Sequence, residues 1–194
     1  MNIFYLNPNP RICAEMHLDK HVVKMIIEYA QLLSTAHRVL DGERFIDKTA
    51  NNRSIQRWRL NDATLEKNLY KATHANHPSA IWVRQSTQNY MWLAELLEEL
   101  CKEYTHRYGK VHKVERDGLM QMLKNNFPVM LNDSGFTEPT PAMPDTYKVT
   151  NDSIRSYQNY YIHDKARFAK WKNRETPEWF SYGVNNANIQ LSSS

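Results

Sequence analysis

Glycine is scarce, with five in 194 residues. A chain so poor in the residue that supplies positive-φ turns is a weak candidate for a Gly-rich β-architecture or a dinucleotide-binding loop. Cysteine is scarcer still. Cys13 and Cys101 cannot build a disulfide framework, and without a CxxC pair the expectation is a reducing compartment. No run of about 18 apolar residues exists, and "MNIFYLNPNPR" lacks the basic start and apolar stretch of a secretory leader. The chain is therefore expected to be cytoplasmic, with no membrane partner. A phosphate-cradling glycine loop, a Ser nucleophile elbow and an EF-hand loop are missing too, which sets those chemistries aside.

What is present suits one domain. With 41% hydrophobic and 11% aromatic residues, a chain of this length can bury a sizeable core. The 25 basic and 21 acidic residues leave a net charge of +4. Such a mild excess is compatible with a nucleic-acid partner but does not require one.

Periodicity predicts a single all-α domain over 1–180, with a polar, loosely ordered tail over 181–194. A short β-capable piece, Asn2 to Leu6, leads through "NPNP" into a helix from Ile12 to Leu40 that Gly42 ends. "DGERFIDKTANNRS" reads as an exposed loop, followed by a weaker helix from Ile55 to Ala72. Pro78 suits the first turn of a second long core helix, Ser79 to Tyr108, closed by Gly109. A short helix is expected over Glu115 to Asn125. Asn126 to Asn151 carries four prolines and reads as a long ordered loop, a lid or a cover for the core. A basic and aromatic C-terminal helix, Asp152 to Lys172, completes the set.

The first long helix has an unusual edge. His17, Lys20, His21, Lys24, Glu28, Gln31, Thr35 and Arg38 fall on one stripe roughly 100° wide, and nearly everything else on the helix is apolar. A helix that apolar is not peripheral, so the stripe should face a cleft, where ionisable groups acquire shifted pKa values suited to acid–base work. His17 and His21 stand at i, i+4, a spacing that lets two imidazoles share a metal ion. With His74 and His77 of "THANHP" they form an alternative divalent-metal site, for a nuclease or nucleotide phosphohydrolase. In the plainer reading His77 caps the helix that begins at Pro78.

Along the C-terminal helix and just past it, Arg155, Lys165, Arg167, Lys170, Lys172 and Arg174 interleave with Tyr157, Tyr160, Tyr161, Phe168 and Trp171. Cations grip phosphates and aromatics stack on bases, so the pattern fits a DNA partner. The aromatic spacing is equally that of a core face. Cys101, on a well-formed helix, reads as core.

The motifs "CAEMHLDKHVVKM", "HANHP", "EYTHRYGKVHK" and "PAMPDTYK" closely resemble those of a group of small proteins from phages and large DNA viruses, a resemblance that brings no activity with it. A more distant resemblance is to pyrimidine-dimer DNA glycosylases of the phage endonuclease V type, which are small all-α proteins. Asp19-Lys20-His21-Val22-Val23 with Glu28, the opening Met1-Asn2-Ile3-Phe4-Tyr5-Leu6-Asn7-Pro8, and His77-Pro78 carry it over about the first half of the chain. The resemblance implies base excision without a cofactor. An amine attacks C1′, the base leaves, and a Schiff base forms, with Glu28 moving protons and His21 contacting the opened site. In that family the amine is the chain's own α-amino group, which is partly neutral near physiological pH.

Two departures matter. Asn2 is too bulky for routine removal of the initiator, so the nucleophile becomes the amine of Met1 or a desolvated Lys20 or Lys24. Ile27 and Gln31 stand where the family carries arginines. Phosphate contacts would then fall to Lys24, Arg84, Arg107, Lys165 and Lys170, with His17, Gln31, His74, His77 and Trp171 as further substrate contacts. A viral DNA-binding or host-inhibitory protein without catalysis is the remaining alternative.

Overall fold

The computed structural model describes residues 1–192, and side chains through residue 187. The chain is mostly helical. In order it forms α1 (Pro10–Met16), α2 (Asp19–Asp41), β1 (Glu43–Lys48), β2 (Ser54–Arg59), α3 (Ala63–Asn68), α4 (Pro78–Val83), α5 (Thr87–Tyr108), α6 (Lys113–Arg116), α7 (Leu119–Asn125), α8 (Ser153–Tyr160) and α9 (Glu178–Ser192). A π-turn, Tyr161–Lys165, and a short 3-10 turn, Ala166–Phe168, extend α8.

Helices α1 and α2 both pack on α5, and the buried faces of α2 and α5 supply much of the core. Ahead of α1, Ile3, Phe4, Tyr5 and Leu6 run through that core as an extended thread that joins no sheet. The thread's polar groups are met individually: Phe4 N–H donates to Tyr29 Oη at 3.2 Å, Ser79 Oγ donates to Met1 O at 3.3 Å, and Trp92 Nε1 donates to Pro8 O at 2.7 Å. Each bond satisfies a group that burial would otherwise leave costly.

Both predicted long helices are broken, each by side chains that satisfy the open backbone groups. The Ile12–Leu40 helix stops at His17, whose ring contacts Cys13 O at 2.7 Å, and resumes after Leu18. The Ser79–Tyr108 helix breaks over Arg84–Ser86. Ser86 Oγ caps α5 by accepting from Asn89 N–H, and Asn89 Nδ2 donates to Trp82 O at 3.0 Å. Gly109, at φ 64°, ends α5 in the left-handed conformation that glycine adopts most freely. Similarly, Gly118 divides the predicted Glu115–Asn125 helix into α6 and α7.

The fold is not purely all-α. "ERFIDK" and "SIQRWR" pair as an antiparallel hairpin from Glu43↔Arg59 to Lys48↔Ser54, where a loop and the start of a helix were expected. The Ile55–Ala72 helix shrinks to α3, capped by Asp62. In the C-terminal region, α8 ends at Tyr160 and gives way to the two turns. The polar tail also has structure: α9 runs to Ser192, with Phe180 buried in the core, while residues 193–194 lie outside the described residues.

Candidate functional site

The polar stripe divides into three parts. At its start, His17 is fully buried. Nδ1–H donates to Cys13 O, and Nε2 accepts from Tyr29 Oη at 2.8 Å, so both ring nitrogens are engaged. At its far end, Arg38 is a clamp. Its guanidinium donates to the Tyr70, Trp58, Glu66 and Leu69 carbonyls and meets Glu66 Oε2 at 2.6 Å. Thr35 exchanges hydrogen bonds with the Thr73 backbone. These groups hold helices and loops together and face no cleft.

The middle part remains open. Lys20 and Lys24 are exposed, which corrects the expectation of desolvated lysines, while Glu28 and Gln31 are half-buried. Lys24 Nζ lies 3.2 Å from Glu28 Oε1. From Lys20 to Gln31 the edge extends about 16 Å at a helical rise of about 1.5 Å per residue. One end of this edge is flanked by the start of the chain and the start of α4. His77 is the N-cap of α4, its Nδ1 accepting from Ser79 N–H at 3.1 Å. Burial lowers the His77 pKa, the Met1 ammonium and His74 lower it further, and Glu28 opposes them. Ser79 Oγ also donates to Met1 O, which holds the start of the chain against this first turn of α4.

The other end meets the π-turn. His21 Nδ1 and Tyr161 Oη are 2.7 Å apart, and the His21 ring stacks on Phe4 at 4.0 Å. Burial keeps Tyr161 a phenol, so its hydroxyl donates to His21 Nδ1. The neutral His21 ring then carries its own proton on Nε2. Phe4 also stacks with Tyr160, Tyr160 with Tyr147, and Tyr147 with His163, giving a row of aromatic faces beside the edge. Lys165 Nζ lies 4.4 Å from the Tyr160 ring and 2.6 Å from Asp164. Burial opposes its charge, but the hydrogen bonds to Asp164 and Tyr160 outweigh that and raise its pKa.

Several predicted contacts are not at this edge. Arg107 is buried in an ion-pair network with Glu103 and Asp19. Trp171 is buried and donates to Met16 O, and Arg84 donates to Ala75 O and Ala80 O, tying down the loop before α4. Lys170 is exposed, while its carbonyl accepts from Asp19 N–H. Tyr157, Tyr161 and Trp171 are core, as is Cys101. The four-histidine metal set does not assemble: His17 is sealed in the core, and among the described residues no three His, Cys, Asp or Glu side chains converge as a metal would need. A concavity of about 430 Å³ lies elsewhere, lined by Arg11, Glu15, Lys102, Glu103 and Arg174 among others. Its charges already pair with one another, which leaves little unmet polar chemistry for a ligand.

Burial lowers His17 from 6.5 to about 4 and His21 to about 2. Both are neutral in the fold and gain a proton on unfolding once pH drops below 6.5. The unfolded chain therefore binds more protons below that pH, and stability is lost as pH falls toward the folded values. Urea midpoints are expected to drop between about pH 7.5 and about pH 5, by the equivalent of about 4 kcal/mol, about 2 for each ring. Equal midpoints would mean that these rings are already charged in the native state.

The stacking of Phe4 on His21 was not legible in the sequence. Four consecutive apolar residues after Asn2 were the available signal, since an N-terminus threaded through a core has a fixed position. No protein-family model, curated protein or solved structure matches this chain.

Proposed function

We propose that the protein acts on pyrimidine nucleotides in DNA by glycosylase or glycosylase–lyase chemistry, with the Met1 amine as nucleophile and Glu28 as the proton-transfer group. One observation carries the reading: Ser79 Oγ fastens the start of the chain to the first turn of α4, beside His77, and α4 packs on α2, whose open edge carries Glu28. The resemblance to the endonuclease V type pointed to an α-amino group and a helix carboxylate.

The chemistry follows from those two groups. The neutral amine attacks C1′; the N–C1′ bond forms as the glycosidic bond breaks, and the base leaves with the bonding pair and takes up a proton. Glu28 accepts the proton lost by the amine and returns it to O4′ as the sugar opens to an iminium. Loss of a C2′ proton then expels the 3′ phosphate in the lyase step. His21, donating from Nε2, contacts the opened strand, and Gln31 reads a base edge. Lys20, Lys24 and Lys165 supply phosphate contacts, and the Tyr147–Tyr160 faces supply stacking.

Borohydride trapping tests this on oligonucleotides bearing a thymine dimer, uracil, hydroxymethyluracil, an abasic site or no lesion. A covalent adduct mapped by mass spectrometry to Met1 is the expected result, and the substrate that traps best identifies the base. No adduct on any substrate, the abasic site included, would end the amine mechanism.

A further inference from the structure

The β1–β2 hairpin holds most of the protein's excess charge. Its 17 residues, 43–59, contain five basic and two acidic side chains, leaving 20 basic against 19 acidic over the rest of the chain. Throughout the helical body cations are commonly paired: Arg11, Lys24, Arg38, Lys102, Arg107 and Arg174 each meet a carboxylate. Among the described residues, the ion pairs include none of Arg44, Lys48, Arg53, Arg57 or Arg59.

The hairpin also stands away from the body. Beyond its own strand pairing it is held mainly at its base, where Arg38 donates to Trp58 O and Glu66 accepts from Leu60 N–H. Residues directly opposite in an antiparallel pair share a face. The register therefore puts Arg44, Ile46, Lys48, Ser54, Gln56 and Trp58 on one face. On that face Arg44, Ile46, Lys48 and Ser54 are exposed, Ile46 to 65%. A lone two-stranded hairpin is marginal in water, and unpaired cations along it add to that burden. A polyanion laid against the face would relieve it.

We propose that this hairpin is a duplex-DNA-binding arm, its cations on phosphates and its outer face in the major groove. Each six-residue strand spans about 20 Å, and a B-form major groove admits a two-stranded ribbon, whereas the deep, narrow groove of A-form RNA does not. Arg44 and Gln56 are the residue types that bond base edges there, and Ile46 offers an apolar contact for a thymine methyl. The inference rests on the hairpin's charge and geometry and does not require the amine chemistry.

Fluorescence anisotropy with an undamaged duplex of about 20 base pairs, from about 50 to about 200 mM salt, tests the arm. The hairpin variant carries Arg44→Gln, Lys48→Gln, Arg53→Gln and Arg59→Gln, and circular dichroism verifies its fold. A body variant with Lys102→Gln, Lys113→Gln, Arg116→Gln and Lys148→Gln loses the same charge elsewhere. The hairpin variant is expected to lose affinity at least about tenfold and to flatten the slope of log K against log salt by about 2 or more, while the body variant stays near wild type. Equal losses in both variants, wild-type affinity in the hairpin variant, no duplex binding by wild type, or tighter binding to A-form RNA would each overturn the arm. Trapping on a short single-stranded abasic oligonucleotide keeps the proposals apart. Hairpin-dependent duplex binding without any trapping would sink the amine mechanism and leave the arm standing.

Discussion

Glu28→Gln is expected to reduce turnover by about 10²- to 10⁴-fold while leaving fold and DNA affinity near wild type. The substitution keeps the side chain's length and removes the carboxylate to which the proposed mechanism assigns proton transfer. Its structural cost is small because Glu28's one ion pair is with Lys24, an exposed partner one helical turn away. Pairs of this kind contribute about 0.3–0.5 kcal/mol. The catalytic and structural effects are thus separated by orders of magnitude, and single-turnover assays beside thermal melts will distinguish them. Lys24→Gln serves as the control: it breaks the same pair but keeps the carboxylate, so its turnover should fall far less. Wild-type turnover in Glu28→Gln would remove Glu28 from the mechanism.

The stripe shows how far a helical wheel reaches. Periodicity located α2 and α5 because their apolar faces recur over about six turns, long enough to outweigh local exceptions. It also picked out the edge that carries Lys20, His21, Lys24, Glu28 and Gln31. It could not show that the edge faces different things along its length. His17 points into the core, Arg38 into a ring of carbonyls, and Thr35 onto a loop, and in each case the partner lies on another element. The helix breaks escaped notice for a related reason. They are stabilised by His17 and Asn89 side chains reaching open carbonyls, whereas glycine or proline would have marked them in the sequence.

The hairpin was missed because its alternation is written in charge. Phe45, Ile55 and Arg57 share the half-buried face, so Arg occupies an inward position that a hydrophobic residue usually takes. The C-terminal aromatic spacing fitted a DNA contact as well as a core face, and it gave no sign of the π-turn at Tyr161. That turn, by shifting the helical register, sets Tyr161 against His21 and Lys165 over Tyr160. The two ends of the candidate site, the threaded N-terminus and this turn, are both tertiary features that a single helix pattern does not encode.

Arg107 illustrates the same limit with the largest expected effect on stability. Proposed from sequence as a phosphate contact, it is fully buried on α5. Its Nε donates to Glu103 at 2.6 Å, Nη1 to Asp19 at 2.9 Å and Nη2 to Glu15 O at 3.0 Å, tying α5 to the end of α1 and the first turn of α2. Glu103 in turn holds Arg174 at 2.9 Å, which fastens the segment before α9. Removing one partner leaves a buried charge uncompensated, so Arg107→Met is expected to cost about 3–5 kcal/mol, a large share of a typical domain's stability. Adding Glu103→Met should recover much of that loss, since an apolar pair leaves less charge stranded in the core. Burial alone would raise the Glu103 pKa, but hydrogen bonds from Arg174 and Arg107 overcome it and hold it below 4.5. The network therefore contributes fully above pH 4.5 and weakens as pH falls through the lower folded value. Arg107→Met should accordingly lose less stability on acidification than wild type does. An Arg107→Met protein with wild-type urea midpoints and weakened DNA binding would return the guanidinium to the nucleic-acid surface.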